Sequence, residues 1–353
     1  MDDRFPEARA AGNPNIGDVA RAAGVSTATV SRALSQPDLV SAKARDAVLK
    51  AVAETGYKMN LAARNLRLRQ TGGIVVLVPH LSNPFFSAIL SGIAGIASQA
   101  GLNMLVADTR EAAGADRRIA GYLHNNSADG LIVLDGNLPD NFDGGGRNRP
   151  PVVFACEWVE GHDQLSVTVD NRHGAVLAVN HLIGLGHRRI GHVMGPPDNI
   201  LTQRRLAGAR DAMAAAGLNA DPRWFFNANF TLASGIAAAR SWLALDERPS
   251  GIFCSSDAMA CGFMSELNRH GVRVPDDVSV VGFDDIDIAE HFIPALTTIR
   301  QPRHRIGETA AEMLLALMRG DATKSAARDG GEKSTVLPVE LIVRGSTAAP
   351  PIA

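Results

Sequence analysis

Seven short apolar runs recur along most of this chain: IVVLVP, NMLVAD, GLIVLD, PVVFAC, RIGHVMG, GIFCSSD and VSVVGFDD. The stretches between them, such as 86–100 and 202–216, carry apolar residues at helical spacing. A strand that is apolar along its whole length must be covered on both faces, and helices between successive strands supply that cover. The pattern predicts an α/β fold of parallel sheets beginning near residue 72. It is more chain than one open sheet needs, and the strand series restarts near 180–190, so two similar lobes are expected.

Residues 16–56 have a different texture and read as three short helices. Asn15 can cap the first with Asp18 as its reciprocal partner, and Gly24 supplies the left-handed residue that ends it. Ser26 and Ser41 cap the second and third, and Gly56 stops the third. Val19, Ala20, Val25, Val30, Leu34, Val48 and Val52 form the expected core. On the second helix Val30, Ala33 and Leu34 share one face, leaving Thr27, Ala28, Ser31 and Arg32 on the other. That outer face is short-chained and carries one long cation, so it can approach another surface closely. The major groove of DNA admits one such helix: arginine reads guanine bidentately, threonine donates or accepts, and an alanine methyl touches thymine. With a glycine-containing turn before it, the pattern is a helix-turn-helix.

Charge agrees with this division. Residues 16–70 hold nine Lys or Arg against four Asp or Glu, whereas the whole chain has a formal charge of -2. A basic head on an acidic body means that only the head suits a polyanion. Residues 60–67 between them could form one or two turns of helix, which is marginal in water unless a partner stabilises it. The three cysteines, Cys156, Cys254 and Cys261, offer neither a disulfide framework nor a chelating pair, and no metal site is expected. Neither a secretory signal nor a membrane span is expected, so a reducing cytoplasm is the expected compartment.

In open α/β sheets ligands sit outside the carboxyl ends of the strands. Those ends are Pro79, Asp108, Asp135, Glu157, Gly195, Asp257 and Asp284. Phe85, Phe86, Trp158 and Phe230 offer apolar walls nearby, and Arg205 a cation. Aromatic walls with hydroxyl-binding carboxylates suit a sugar or a nucleoside. Aspartates in such places also cap the following helices, an equally strong reading for Asp108 and Asp135. His187 and His192, which flank RRIG, read as structural, and DGGGRN at 143–148 lacks the Lys-Ser/Thr of a phosphate loop.

The segments IGDVARAAGVSTATVSRAL, GYKMNLAARNL, GHRRIGHVMGP, RRLAGARDAM and PALTTIRQPRHRIGETAAEMLL, in this order, resemble the LacI/GalR family of bacterial repressors, most closely its cytidine/purine repressor type. The resemblance runs from about 15 to 348. It implies that Ser26, Thr27, Ala28, Thr29, Ser31 and Arg32 contact bases and phosphates. It also implies that Asn60–Arg67 is a hinge helix formed on operator DNA, with Asn60, Ala63 and Leu66 at the minor groove. For the effector it points to Phe85, Phe86, Arg205, Phe230 and Asp284, with Asp170 near the lobe crossover. Asn199 and Leu201 stand where the purine-binding pattern has an arginine and a threonine, which argues against a purine.

The resulting expectation is a small all-α helix-turn-helix head, a hinge, and a two-lobed body like that of periplasmic binding proteins. Its bounds are a tail at 1–14, the head at 15–58, hinge and linker at 59–71, and the effector-binding and dimerisation body at 72–348. Within the body, the N-lobe comprises 72–169 and 300–334, and the C-lobe 170–299 and 335–348. The function expected is that of a DNA-binding transcriptional regulator under small-molecule control, acting as a homodimer on a pseudo-palindromic operator, with no cofactor and no catalysis. The effector-binding set is Phe85, Phe86, Trp158, Asp170, Asn199, Arg205, Phe230, Asp257 and Asp284. A solute-binding receptor is the alternative, but it would have no use for the head. The C-terminal GSTAAPPIA has no heptad pattern, so no tetramerising coiled coil is expected.

Overall fold

The computed structural model describes residues 14–58, 71–109, 128–136, 150–158, 165–320 and 334–351. It divides into two compact units, at 1–69 and 70–353. The tail, most of the hinge with Asn60, Ala63 and Leu66, and the glycine-rich 143–148 lie outside the described residues.

The head follows its local signals. Helix α1 (Ile16–Ala23) opens with a reciprocal capping box: Asn15 Oδ1 accepts from the Gly17 and Asp18 amides, and Asp18 Oδ2 accepts from the Asn15 amide at 2.9 Å. It ends at Gly24, whose φ of 67° places it in the left-handed region. Helix α2 (Thr27–Ser35) starts at Ser26, whose Oγ accepts from the Thr29 amide at 3.1 Å. A 3-10 turn at Pro37–Leu39 leads to α3 (Ala42–Thr55), capped by Ser41 and closed by Gly56. Val19, Ala20, Val30, Ala33, Val48 and Ala51 are buried together, with Val25, Leu34 and Val52 partly buried around them. Ala33 and Ala51 thus join the expected core, and Val25, Leu34 and Val52 pack at its edge.

The body contains two six-stranded sheets. The first uses β1 (Gly73–Val78), β2 (Asn103–Asp108), β3 (Gly130–Val133), β4 (Val152–Ala155), β5 (Leu165–Val169) and, from the C-terminal region, β11 (Ser334–Leu337), in the order β11-β5-β4-β3-β1-β2. The second uses β6 (Ile190–Val193), β7 (Phe225–Phe226), β8 (Gly251–Cys254), β9 (Ser279–Asp284), β10 (Thr297–Arg300) and β12 (Glu340–Ile342), in the order β12-β10-β9-β8-β6-β7. The order is the same in both lobes, and every described pairing is parallel except β10 with β12. Strands β3 and β9 are buried along their whole length, as continuous apolar runs covered on both faces must be.

Helix α4 (Phe85–Gln99) covers the first sheet; α5 (Asn171–Gly184), α6 (Ile200–Ala215), α7 (Leu232–Leu243) and α8 (Asp257–Arg269) cover the second. A short α9 (Asp287–His291) precedes β10, and α10 (Arg303–Met318) returns to the first lobe. There it packs on α4 so closely that a Cβ on Gly92 would overlap the His304 carbonyl oxygen, and one on Gly307 that of Ile89. The chain thus passes between lobes after β5, after β10 and between β11 and β12. Strand β10 reaches Arg300 and β11 reaches Leu337, so the last two passages fall beyond the boundaries at 299 and 334 expected from sequence. Strand periodicity marks a strand but not the sheet it joins.

Candidate functional site

The two sheets point the carboxyl ends of their strands at one cleft. A partly open cleft lies there between the residues following β1, β3 and β4 on one side and those following β8 and β9, with α6, on the other, spanning about 550 Å³ when the solvent at its mouth is included.

The N-lobe side is apolar. Asn83 Oδ1 accepts from the Phe85 amide at 3.0 Å and so shapes the start of α4. This brings Phe85 and Phe86 to the cleft with their rings edge-on at 5.0 Å, beside Pro79 and Leu134. The polar groups here are His80, Asn83 and Glu157, the last fixed by accepting from the Gly136 amide at 2.9 Å.

The C-lobe side carries charge. Arg205, 2% exposed, donates through Nε to Asn171 Oδ1 at 2.9 Å and through Nη1 to the Ser255 carbonyl at 2.5 Å. Its guanidinium lies 3.7 Å above the centre of the Phe283 ring and 4.0 Å from Asp284 Oδ1. Burial lowers the pKa of Arg205, while Asp284 and Glu157 oppose that shift. Burial likewise pushes the Asp284 carboxyl up to about 6, against the Arg205 charge and a 2.8 Å hydrogen bond from Gln301 Nε2. A buried cation and carboxylate that satisfy each other only in part are suited to a ligand offering hydroxyls or ring nitrogens.

The backbone here is strained. Asp284 and Asp285 have φ of 121° and 52°, and Phe230 has 64°. Such non-glycine geometry costs on the order of 1–3 kcal/mol per residue and persists where surroundings enforce it. The Asp285 carboxylate is gripped by Arg300 at 2.6 Å and Arg344 at 2.7 Å. Burial acts against those bonds, yet their net effect holds the Asp285 pKa below its ordinary value. Phe230 lies where a Cβ on Gly195 would overlap its ring, so that glycine makes room for the aromatic wall.

Of the nine residues expected to meet an effector, Phe85, Phe86, Arg205, Phe230 and Asp284 line the cleft and four do not. Asp170 is exposed and caps α5 through the His173 amide at 2.8 Å. Asn199 caps α6, accepting from the Leu201 and Thr202 amides. Asp257 is fully buried beneath the cleft, accepting from the Thr298 hydroxyl and the Ile286 amide. Its pKa is raised by burial and then by Asp284. Trp158 is half-buried beside the cleft, with the Arg204 guanidinium 5.9 Å from its ring centre.

The strand-end carboxylates Asp108 and Asp135 hold loops, accepting from the Leu81 amide and the Thr109 hydroxyl. The cleft also contains Cys156, Leu201, Asn229 and Ser256, which had not been assigned to it. Ser256 caps α8, so its signal in the sequence was that of a helix start. His187 bonds Ser250 and the Ala348 carbonyl, and His192 bonds Ser255 and stacks on Phe253 at 4.6 Å. Burial lowers the His192 pKa to about 3, so that ring is neutral. No cluster of potential metal ligands occurs among the described residues.

On the head, Thr27, Ala28 and Arg32 are exposed on α2 and Ser31 is half-buried. The Thr29 and Ser26 hydroxyls meet at 2.9 Å, so both belong to the cap.

A helix-turn-helix head joined to a two-lobed body with a cleft between its lobes defines a ligand-responsive DNA-binding regulator. Residues 15–60 match the bacterial regulatory proteins of the lacI family, and residues 179–347 match the periplasmic binding protein-like domain. The chain is 39% identical over 337 residues to the HTH-type transcriptional repressor CytR of Escherichia coli, covering 95% of this chain and 96% of that protein. It is 36% identical over 304 residues to the repressor PurR of Vibrio campbellii, covering 85% and 90%. Among solved structures, the lac repressor dimer bound to operator and the anti-inducer ONPF superposes with a TM-score of 0.77 at 29% identity, covering 96% of this chain and all of that one. The CelR–cellobiose complex does so at 0.70 and 32%, covering 94% and 99%. This chain belongs to the lacI family of bacterial regulatory proteins.

Proposed function

We propose that this protein is a transcriptional repressor whose paired heads bind a pseudo-palindromic duplex operator and whose cleft takes a sugar or nucleoside effector. The observation that carries the reading is the outer face of α2, where Thr27, Ala28 and Arg32 stand exposed on a helix start fixed by the Ser26 cap. A helix with so low a profile fits a groove about 12 Å wide, with Arg32 able to reach guanine O6 and N7. Ser26, Thr29 and Ser31 complete the contact set, and residues 59–71 serve as the hinge, with Asn60, Ala63 and Leu66 at the minor groove. The head at 15–58 and the body at 72–348 divide the labour.

In the cleft, Arg205 and Asp284 orient the effector, and Phe85, Phe86 and Phe230 supply apolar contact. Glu157 adds a second carboxylate. The effector acts through its different affinities for open and closed lobes, and the lobes pass that difference to the hinge. Pairing of two bodies is supported by exposed apolar side chains outside the cleft, Ile288 at 50% and Ile293 at 91% exposed. A second copy of this chain is the partner this reading expects, in keeping with the operator-bound lac repressor dimer. This reading assigns no catalysis and no cofactor, and it places the protein with its operator in the cytoplasm. No helix among the described residues is long and apolar enough to cross a membrane.

Thermal-shift screening of the full chain against nucleosides and sugars tests the cleft: a hit raises the unfolding temperature in proportion to the logarithm of its concentration. Arg205 and Asp284 variants are expected to lose that response.

A further inference from the structure

The turn that follows β9 belongs by sequence to the C-lobe but reaches into the other lobe. Ile286, 3% exposed, packs in the N-lobe core with Phe85 and Phe86. Behind it lies Arg303, the first residue of α10 and only 8% exposed. Its backbone is anchored in the N-lobe, because α10 is seated on α4 at the Gly92 and Gly307 crossing. Its guanidinium donates to the Asp285 carbonyl at 2.9 Å and to Asp287 Oδ1 at 2.9 Å in the C-lobe, and to the Pro84 carbonyl at 3.4 Å in the N-lobe. Pro84 immediately precedes Phe85, and Asp285 immediately follows Asp284. Arg303 itself stands outside the cleft lining.

We propose that Arg303 is a positioning residue of the effector cleft, tying the loop before α4 to the turn after β9 and so setting the distance between the Phe85–Phe86 wall and the Asp284 carboxylate. Arginine suits this task because its planar fork of five donors can serve several fixed acceptors at once, which an ammonium cannot. The 2.9 Å bond to the Asp285 carbonyl, from a residue whose helix is seated on α4, carries most of the tie; the Pro84 contact at 3.4 Å is long and weaker, and the ion pair to Asp287, whose side chain is 91% exposed, contributes little. The turn also needs holding, because Asp284 and Asp285 both sit at positive φ. Arg300 and Arg344 occupy the Asp285 carboxylate, leaving its carbonyl to Arg303.

This inference rests on the cleft being the effector site, but its test needs no effector, so the two can fail separately. Hydrogen exchange of the full-length protein, read by mass spectrometry, follows segments 83–89 and 284–291 against controls at 128–133 and 277–282. Arg303→Met is expected to speed exchange at least ten-fold in both test segments, where the Ser87 amide bonds the Pro84 carbonyl and the Ile286 amide bonds Asp257, and to leave the controls unchanged. Arg303→Lys, which keeps the charge, is expected to give a smaller rise in the same two segments, and it carries the test if the Met variant fails to fold. A rise confined to one segment, a rise shared equally by the controls, or wild-type exchange in Arg303→Lys overturns the proposal.

Discussion

The two lobes share one strand order and contribute different chemistry: the N-lobe wall is mostly apolar with Glu157 as its carboxylate, and the C-lobe wall holds the Arg205–Asp284 pair beside Phe230. The N-lobe presents the loop after β1 and the start of α4, with Pro79, Phe85, Phe86 and Leu134 facing the cleft. The C-lobe presents Arg205 and Asp284, each less than a tenth exposed, supported by Asn171, Ser255 and Gln301. A common fold therefore leaves the chemistry of each wall to the few residues just beyond its strands. An effector spanning the cleft would touch Phe85 and Phe86 on one lobe and Arg205, Asp284 and Phe230 on the other. An effector that needs both favours the closed state, and that preference is the source of any allosteric effect.

The sharpest way to break the comparison is on the charged side. Arg205→Leu removes the cation from a buried pair and leaves the Ser255 carbonyl, Asn171 and Asp284 without it, so unfolding free energy should fall by about 3–5 kcal/mol. Denaturant unfolding checks this, and little change would mean the charges are not coupled as described. The C-lobe also carries one ring at the cleft, and Phe230→Ala should weaken a compound found by the thermal-shift screen by about 10–100-fold, since a stacked or edge-on ring contact adds to the burial of its area. Calorimetric titration reads that loss. The same titration on Arg205→Leu should show no binding.

The Asp284 carboxyl gives a pH signature confined to the charged wall. Its folded pKa of about 6 stands above the ordinary 3.8. The stability it contributes is therefore fully present below pH 3.8 and is lost as pH rises through 6. Effector binding that needs the ionised carboxylate should run the other way, falling as pH drops from 7.5 to 5. Asp284→Asn should flatten both profiles in pH-dependent calorimetry and unfolding. The smallest effect is expected at Asp170→Ala, which removes a helix cap worth about 1 kcal/mol and should leave effector affinity unchanged.

Asp170 also shows where reading the sequence stops. Aspartate or asparagine just after a strand is at once a good helix cap and a good partner for a hydroxyl. Asp170 and Asn199 took the first role. Asp284 and Glu157 line the cleft instead, a placement set by contacts far apart in sequence. Asp257 was legible as a strand-end carboxylate, yet it lies beneath the cleft, holding Ile286 and Thr298. In the head, by contrast, Asn15, Asp18, Gly24, Ser26, Ser41 and Gly56 act within a few residues of themselves, and the helices stand where those signals placed them. The alternating strands and helices of the body were equally legible. The antiparallel return of β12 was not, since nothing in Glu340–Ile342 records which neighbour it meets.

The central claim is that one chain couples duplex recognition at α2 to occupancy of the cleft, and the most direct measurement is the affinity of the full-length protein for duplexes selected from a random pool, with and without a compound from the screen. The account predicts enrichment of a pseudo-palindrome bound at least ~10³-fold more tightly than random competitor at fixed salt, a preference relaxed at one base pair by Arg32→Ala, and a shift in that affinity when the compound is added. Equal affinity for all duplexes, with or without compound, would contradict it.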